Sequence, residues 1–80
     1  MTIGAAVKER ILELCEEYNI SPNKLSNISG VTQSTVNNII SGRNKSTTIS
    51  TIKKLCDGLG ISIQDFFCSD LFCNLEQEVK

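Results

Sequence analysis

The segment Gly30-Val31-Thr32 constrains this chain more than any other. A glycine suited to the left-handed residue that ends a helix is followed two positions later by a threonine able to cap the next one. No flexible linker fits between them, so the two flanking helices are joined by a tight turn. The upstream helix starts at Ser21-Pro22, where serine accepts from open N–H groups and proline tolerates the first helical position. It is predicted over about residues 22–28 and buries Leu25, with Ile28 as a second candidate. The downstream helix, about residues 33–41, turns Val36, Ile39 and Ile40 inward and Gln33, Ser34, Asn37 and Asn38 outward, and stops at Gly42.

The same signals divide the rest of the chain. Val7, Ile11, Leu14, Cys15 and Tyr18 recur on one helical face, which predicts a first helix over about residues 4–18, ended by Asn19. Thr48 caps a fourth helix, about residues 49–58, with Ile49, Ile52, Leu55, Cys56 and Leu59 as its apolar face and Gly58 and Gly60 at its end. Ser62 and Asp65 approximate a capping box that opens a fifth helix carrying Phe66 and Phe67. With no strand pattern and only 80 residues, the expected architecture is one all-α, compact five-helix domain over residues 1–68 and a short apolar tail over 69–80.

Charge is distributed unevenly. No acidic residue occurs from Tyr18 to Cys56, and that stretch holds Lys24, Arg43, Lys45, Lys53 and Lys54. All nine acidic residues lie outside it, so the net charge of −1 is the sum of two opposed parts. A carboxylate-free middle flanked by acidic ends suits a surface that meets a polyanion. A helix with short polar side chains outside and aliphatics inside fits the major groove of DNA, and the helix before it crosses the phosphate backbone. Asn and Gln suit the N6/N7 edge of adenine.

At this point the segment LSNISGVTQSTVNNIISGRNKSTTISTIKKLCDGLGISIQDFF, Leu25 to Phe67, resembles the phage-repressor (Cro/repressor, Xre-type) helix-turn-helix family. The shared features are the Gly-Val-Thr turn, Ile39 spaced from Gly42, and Leu-Gly-Ile-Ser before the fifth helix. The resemblance implies a lambda-repressor-like fold and a DNA-binding transcriptional regulator, a repressor in the leading expectation, bacterial or phage-like in origin and acting on a double-stranded operator. It implies that Gln33, Ser34, Asn37 and Asn38 contact bases. It implies that Ser21, Asn23, Lys24, Thr32, Thr35, Arg43, Asn44 and Lys45 contact the DNA backbone. The chain departs from the family at three places. Pro22 stands where a phosphate-binding glutamine is frequent, so that contact is absent. Ser26 replaces a customary alanine and must find a partner for its hydroxyl. Thr47 replaces a loop proline. Lys53 and Lys54, well inside the fourth helix, read as surface residues.

All three phenylalanines fall between Phe66 and Phe72, in a stretch that is mostly apolar. A domain this small has difficulty covering them all, which predicts a homodimer through Phe66, Phe67, Leu71, Phe72 and Leu75, placing two reading helices about 34 Å apart. The competing arrangement is a tail folded back on its own domain. A second function, a protein-interaction module such as an antitoxin covering a toxin through the apolar tail, rests on the same segment. Enzymatic function is not expected: there is no histidine and no phosphate-cradling glycine loop. No cofactor or metal is expected, because Cys68 and Cys73 with two isolated apolar-face cysteines, Cys15 and Cys56, match zinc spacing poorly. No export signal or membrane span is visible, so a cytoplasmic protein with reduced thiols is expected.

Overall fold

The computed structural model describes residues 1–43 and 46–79. Within them the chain forms five α-helices in the order α1 (Ile3–Glu17), α2 (Pro22–Ser29), α3 (Gln33–Ile40), α4 (Ile49–Leu59) and α5 (Ile63–Phe67), then a 3-10 turn at Asp70–Phe72. No strand occurs among the described residues. The all-α expectation is met, and the four helices with predicted spans begin and end within one residue of them.

Each helix starts on a side-chain oxygen. Thr2, Ser21, Thr32, Thr48 and Ser62 sit in extended backbone and accept a hydrogen bond from an N–H inside the first turn. The Ser62–Asp65 pair forms a complete capping box. Helix ends are equally local. Asn19 takes a φ of 56°, and the N–H groups of Asn19 and Ile20 return to the carbonyls of Glu16 and Cys15. That pairing closes α1 and delivers Ile20 back to the core.

The core gathers Val7, Ile11, Leu14 and Cys15 from α1, Leu25 from α2, Val36 and Ile39 from α3, Ile52, Leu55 and Cys56 from α4, and Phe66 from α5. Val31, inside the tight turn, is buried with them. α2 packs most extensively on α4 and next on α3, so the two-helix unit is seated on α4. Three residues assigned to buried faces by periodicity lie outside: Tyr18, Ile28 and Ile49, the last 64% exposed. Each stands in the terminal turn of its helix, or next to it, where the apolar stripe runs past the edge of its neighbours.

Gly58 has a role other than ending α4, which stops at Gly60 with a φ of 74°. A Cβ on Gly58 would lie 2.8 Å from Cα and Cβ of Ser29 and 3.0 Å from the carbonyl oxygen of Ile28. The glycine therefore lets the end of α2 approach α4 at backbone distance.

The dimer expectation needs a correction at Phe66. That ring has no exposed surface within its own chain, so it has nothing to offer a partner. It stacks edge-on to Phe67 at 5.0 Å, and Phe67 meets Phe72 at 4.9 Å. Leu71, Phe72 and Leu75 are half-buried, and the 3-10 turn packs on α1. A 3-10 turn was enough to fold the aromatic segment back on its own helix, the competing arrangement named above.

Candidate nucleic-acid interface

The tight turn is built as expected. Gly30 takes a φ of 71°, and Thr32 follows in extended backbone as the cap of α3. Thr32 Oγ1 accepts from the Thr35 N–H at 3.2 Å and pairs with Thr35 Oγ1 at 2.8 Å. Thr48 and Thr51 repeat the arrangement at the start of α4, with 3.2 Å and 2.9 Å. Both threonines proposed as backbone contacts at α3 are thus first engaged in starting the helix. Between them the two hydroxyls still retain lone pairs and one uncommitted proton for an outside acceptor.

Val36 and Ile39 are almost fully buried and fix the roll of α3 about its axis. That roll leaves Gln33, Ser34 and Asn37 exposed and Asn38 half-buried. Gln33 and Asn37 are four residues apart and so share one face of the helix. The helix ends in a second paired closure. Gly42, with a φ of 80°, donates to the Ile39 carbonyl, and Arg43 donates its N–H to the Asn38 carbonyl at 3.1 Å. Arg43 is exposed and its backbone is fixed at the end of α3. Asn44 and Lys45 lie outside the described residues.

The preceding helix presents Ser21, Asn23 and Lys24 at its start, all exposed. Ser21 Oγ accepts from the Lys24 N–H at 3.1 Å. Ser26, 3% exposed, satisfies its hydroxyl by donating to the Asn23 carbonyl at 2.8 Å, so the departure from alanine leaves no unpaired group. From Leu25 through Gly42 there is no charged side chain at all, and Lys24 and Arg43 bracket that neutral stretch. Elsewhere on the cationic stretch, Lys53 pairs with Asp57 one turn along α4, and that hydrogen bond holds the Lys53 ammonium pKa above its ordinary value.

Two residues that hold the helices together were not visible as such in the sequence. Gly58 is one. The other is Arg10, which is 9% exposed and donates from Nε to the Phe66 carbonyl at 2.6 Å and from Nη2 to the Asp65 carbonyl at 2.9 Å. Its Nη1 pairs with Glu13. The guanidinium thereby satisfies the open Phe66 carbonyl, shares the Asp65 carbonyl with the Cys68 N–H, and ties the end of α5 to α1. The missed signal was a lone cation among apolar positions, spaced one and four residues before Ile11 and Leu14.

The cysteines divide by burial. Cys15 and Cys56 are buried, and desolvation pushes both thiols above their ordinary pKa, whereas Cys68 and Cys73 are exposed. Among the described residues no three His, Cys, Asp or Glu side chains come together as a metal site. No described helix is long and apolar enough to cross a membrane.

Comparison with known proteins agrees with this geometry. The model of the Cro/C1-type HTH DNA-binding domain matches residues 10–68. The crystal structure of the prophage Lp1 protein 11 is similar at 43% identity and a TM-score of 0.78, over 88% of this chain and 92% of that one. No curated protein matches the chain. Two short capped helices joined by a tight turn, under a family model that spans most of the sequence, place this chain in the Cro/C1-type helix-turn-helix family of DNA-binding domains.

Proposed function

We propose that the protein is a transcriptional repressor that occupies a double-stranded operator and reads its major groove with α3. The observation that carries this is the exposed, uncharged face of Gln33, Ser34 and Asn37, with Asn38 at its edge, bracketed by Lys24 and Arg43. Short amides and hydroxyls suit base edges, and cations at either end suit the flanking phosphates. Ser21, Asn23, Thr32 and Thr35 add backbone contacts through N–H and hydroxyl groups at the starts of α2 and α3.

The repressor acts as a homodimer in this reading. With Phe66 internal, the surface left for a second copy is the half-buried set Phe67, Leu71, Phe72 and Leu75. Light scattering at micromolar concentration, alone and on operator DNA, tests it: a monomer in both states removes the dimer.

The direct test of DNA reading is a titration over a range of salt. Affinity should fall steeply with ionic strength, and Arg43→Ala should reduce the slope of log K against log salt by about one. Lys53→Ala, which removes a cation already held by Asp57, should change the slope less. Equal slopes for wild type and Arg43→Ala would remove Arg43 from the backbone contacts. A promoter–reporter assay distinguishes repression from activation.

A further inference from the structure

We propose that the cavity between the start of α1, the start of α4 and the end of α5 binds a small uncharged aromatic molecule with one hydrogen-bonding substituent, of about the size of phenol. Such binding is independent of DNA reading by α3. The cavity holds about 180 Å³ and is walled by Ile3 and Val7 of α1, Ile49 and Ile52 of α4 and Phe67 of α5, with Ser46 and Thr47 beside them. Val7 and Ile52 are almost fully buried, so that part of the wall is fixed by the core. Ile49 is largely exposed, an aliphatic side chain at the edge of a cavity that its own chain leaves uncovered.

Size, polarity and charge each narrow the ligand. An apolar cavity of about 150 Å³ lined by aliphatic and aromatic side chains accepts benzene, so this one has room for a ring and a short substituent. Water is a poor occupant: it needs about two to four polar partners, and among the lining side chains only Ser46 and Thr47 offer any. Those hydroxyls both donate and accept, which suits a single hydroxyl on the ligand. Among the described residues no charged side chain lines the cavity, so an ionised ligand would lose its hydration without gaining a partner. The Phe67 ring favours an aromatic guest over an aliphatic one of equal volume, because ring pairs gain beyond the burial of area.

The test titrates the full chain with phenol and follows the backbone amide NMR signals. Saturable shifts centred on the cavity-lining residues are expected at about millimolar phenol. Benzoate, a ring with a charge, should bind about tenfold more weakly or worse. Cyclohexanol, the hydroxyl without the aromatic ring, should bind about threefold more weakly. Phenol at about ten times its Kd should raise the unfolding midpoint by about 5 °C or more. Gly4, in the first turn of α1, also lines the cavity, so Gly4→Leu fills the space while favouring the helix. It should abolish the shifts, with circular dichroism confirming the fold. Should Gly4→Leu not fold, Ile49→Ser at its exposed position decides, and undiminished phenol affinity there overturns the proposal. Shifts scattered over the surface, equal binding of benzoate, or retained binding by folded Gly4→Leu also overturn it. So does a cavity closed to phenol in a dimer that Gly4→Leu converts to monomer, which assigns the space to a second copy.

Discussion

The reading unit, α2 and α3, and the junction of α1 with α5 are held by different physics. In the helix-turn-helix unit the side-chain and capping hydrogen bonds close within a few residues: Ser21 to Lys24, Ser26 to Asn23, Thr32 to Thr35, Arg43 to Asn38. At the junction, one buried cation from α1 answers carbonyls 55 and 56 residues away. A unit that meets a polyanion gains from carrying no carboxylate and from spending no cation on its own stability. The junction, remote in sequence and rich in acids nearby, can afford a guanidinium as its rivet. The contrast teaches that the charges proposed for binding, Lys24 and Arg43, are separate from the charge that ties α1 to α5.

Substitutions at the two regions should break or sharpen that contrast. The largest effect is expected at the junction. Arg10→Met keeps the apolar stem but leaves the Phe66 carbonyl without its donor and the Asp65 carbonyl with the Cys68 N–H alone, and should cost about 3 kcal/mol. For a domain this size, thermal unfolding should shift down by more than about 10 °C. An unchanged Tm would show that water replaces the guanidinium freely, and the contrast would fail.

Gly58→Ala comes next. Alanine gains about 1 kcal/mol of helix propensity, but its Cβ meets the backbone of Ser29, and overpacking of this kind costs about 1–3 kcal/mol. The clash should win, and because α2 must move, affinity for DNA should fall together with stability. Stabilisation by alanine would mean that the α2–α4 contact yields easily. Thr32→Ala should be milder, about 1 kcal/mol of stability from the lost cap, as measured by urea unfolding. A smaller effect still is expected from Lys53→Ala, whose exposed pair with Asp57 should leave the unfolding midpoint nearly unmoved.

Thiol chemistry gives an independent measure of the same division. Cys68 and Cys73 should react with an aromatic disulfide reagent at once in the native protein, and Cys15 and Cys56 only on unfolding, because both are buried and desolvation raises their pKa. Rapid reaction of all four would place the core of α1 and α4 in frequent exchange with solvent.

The reading unit was legible because its rules are local. Ser21-Pro22, Gly30, Thr32 and Gly42 announce two helices and the turn between them within a window of about one domain edge, and the outward residues follow from the 3.6-residue period. The same period misplaced Tyr18, Ile28 and Ile49, because it reports which face is apolar and not where the neighbouring helix stops covering it. Phe66 was assigned to an interface on clustering alone, because three neighbouring phenylalanines look like surplus, while one short 3-10 turn was enough to bring Phe72 back onto Phe66 and Phe67. Arg10 and Gly58 were beyond local rules altogether. Their roles exist only once residues 55 positions away, or the backbone of another helix, come alongside.

The crowding at Gly58 also limits how this family member can change. Trimming Ser29 to glycine would clear its Cβ but not its Cα, so no side-chain exchange at that position creates space for a larger residue at 58. A suppressor of Gly58→Ala would have to slide or tilt a whole helix, and sliding α2 drags α3, on which it packs, with the surface proposed to face the groove. Recovery of thermal stability should therefore tend to come with an altered choice of operator, which makes this contact a handle on specificity that touches no nucleotide.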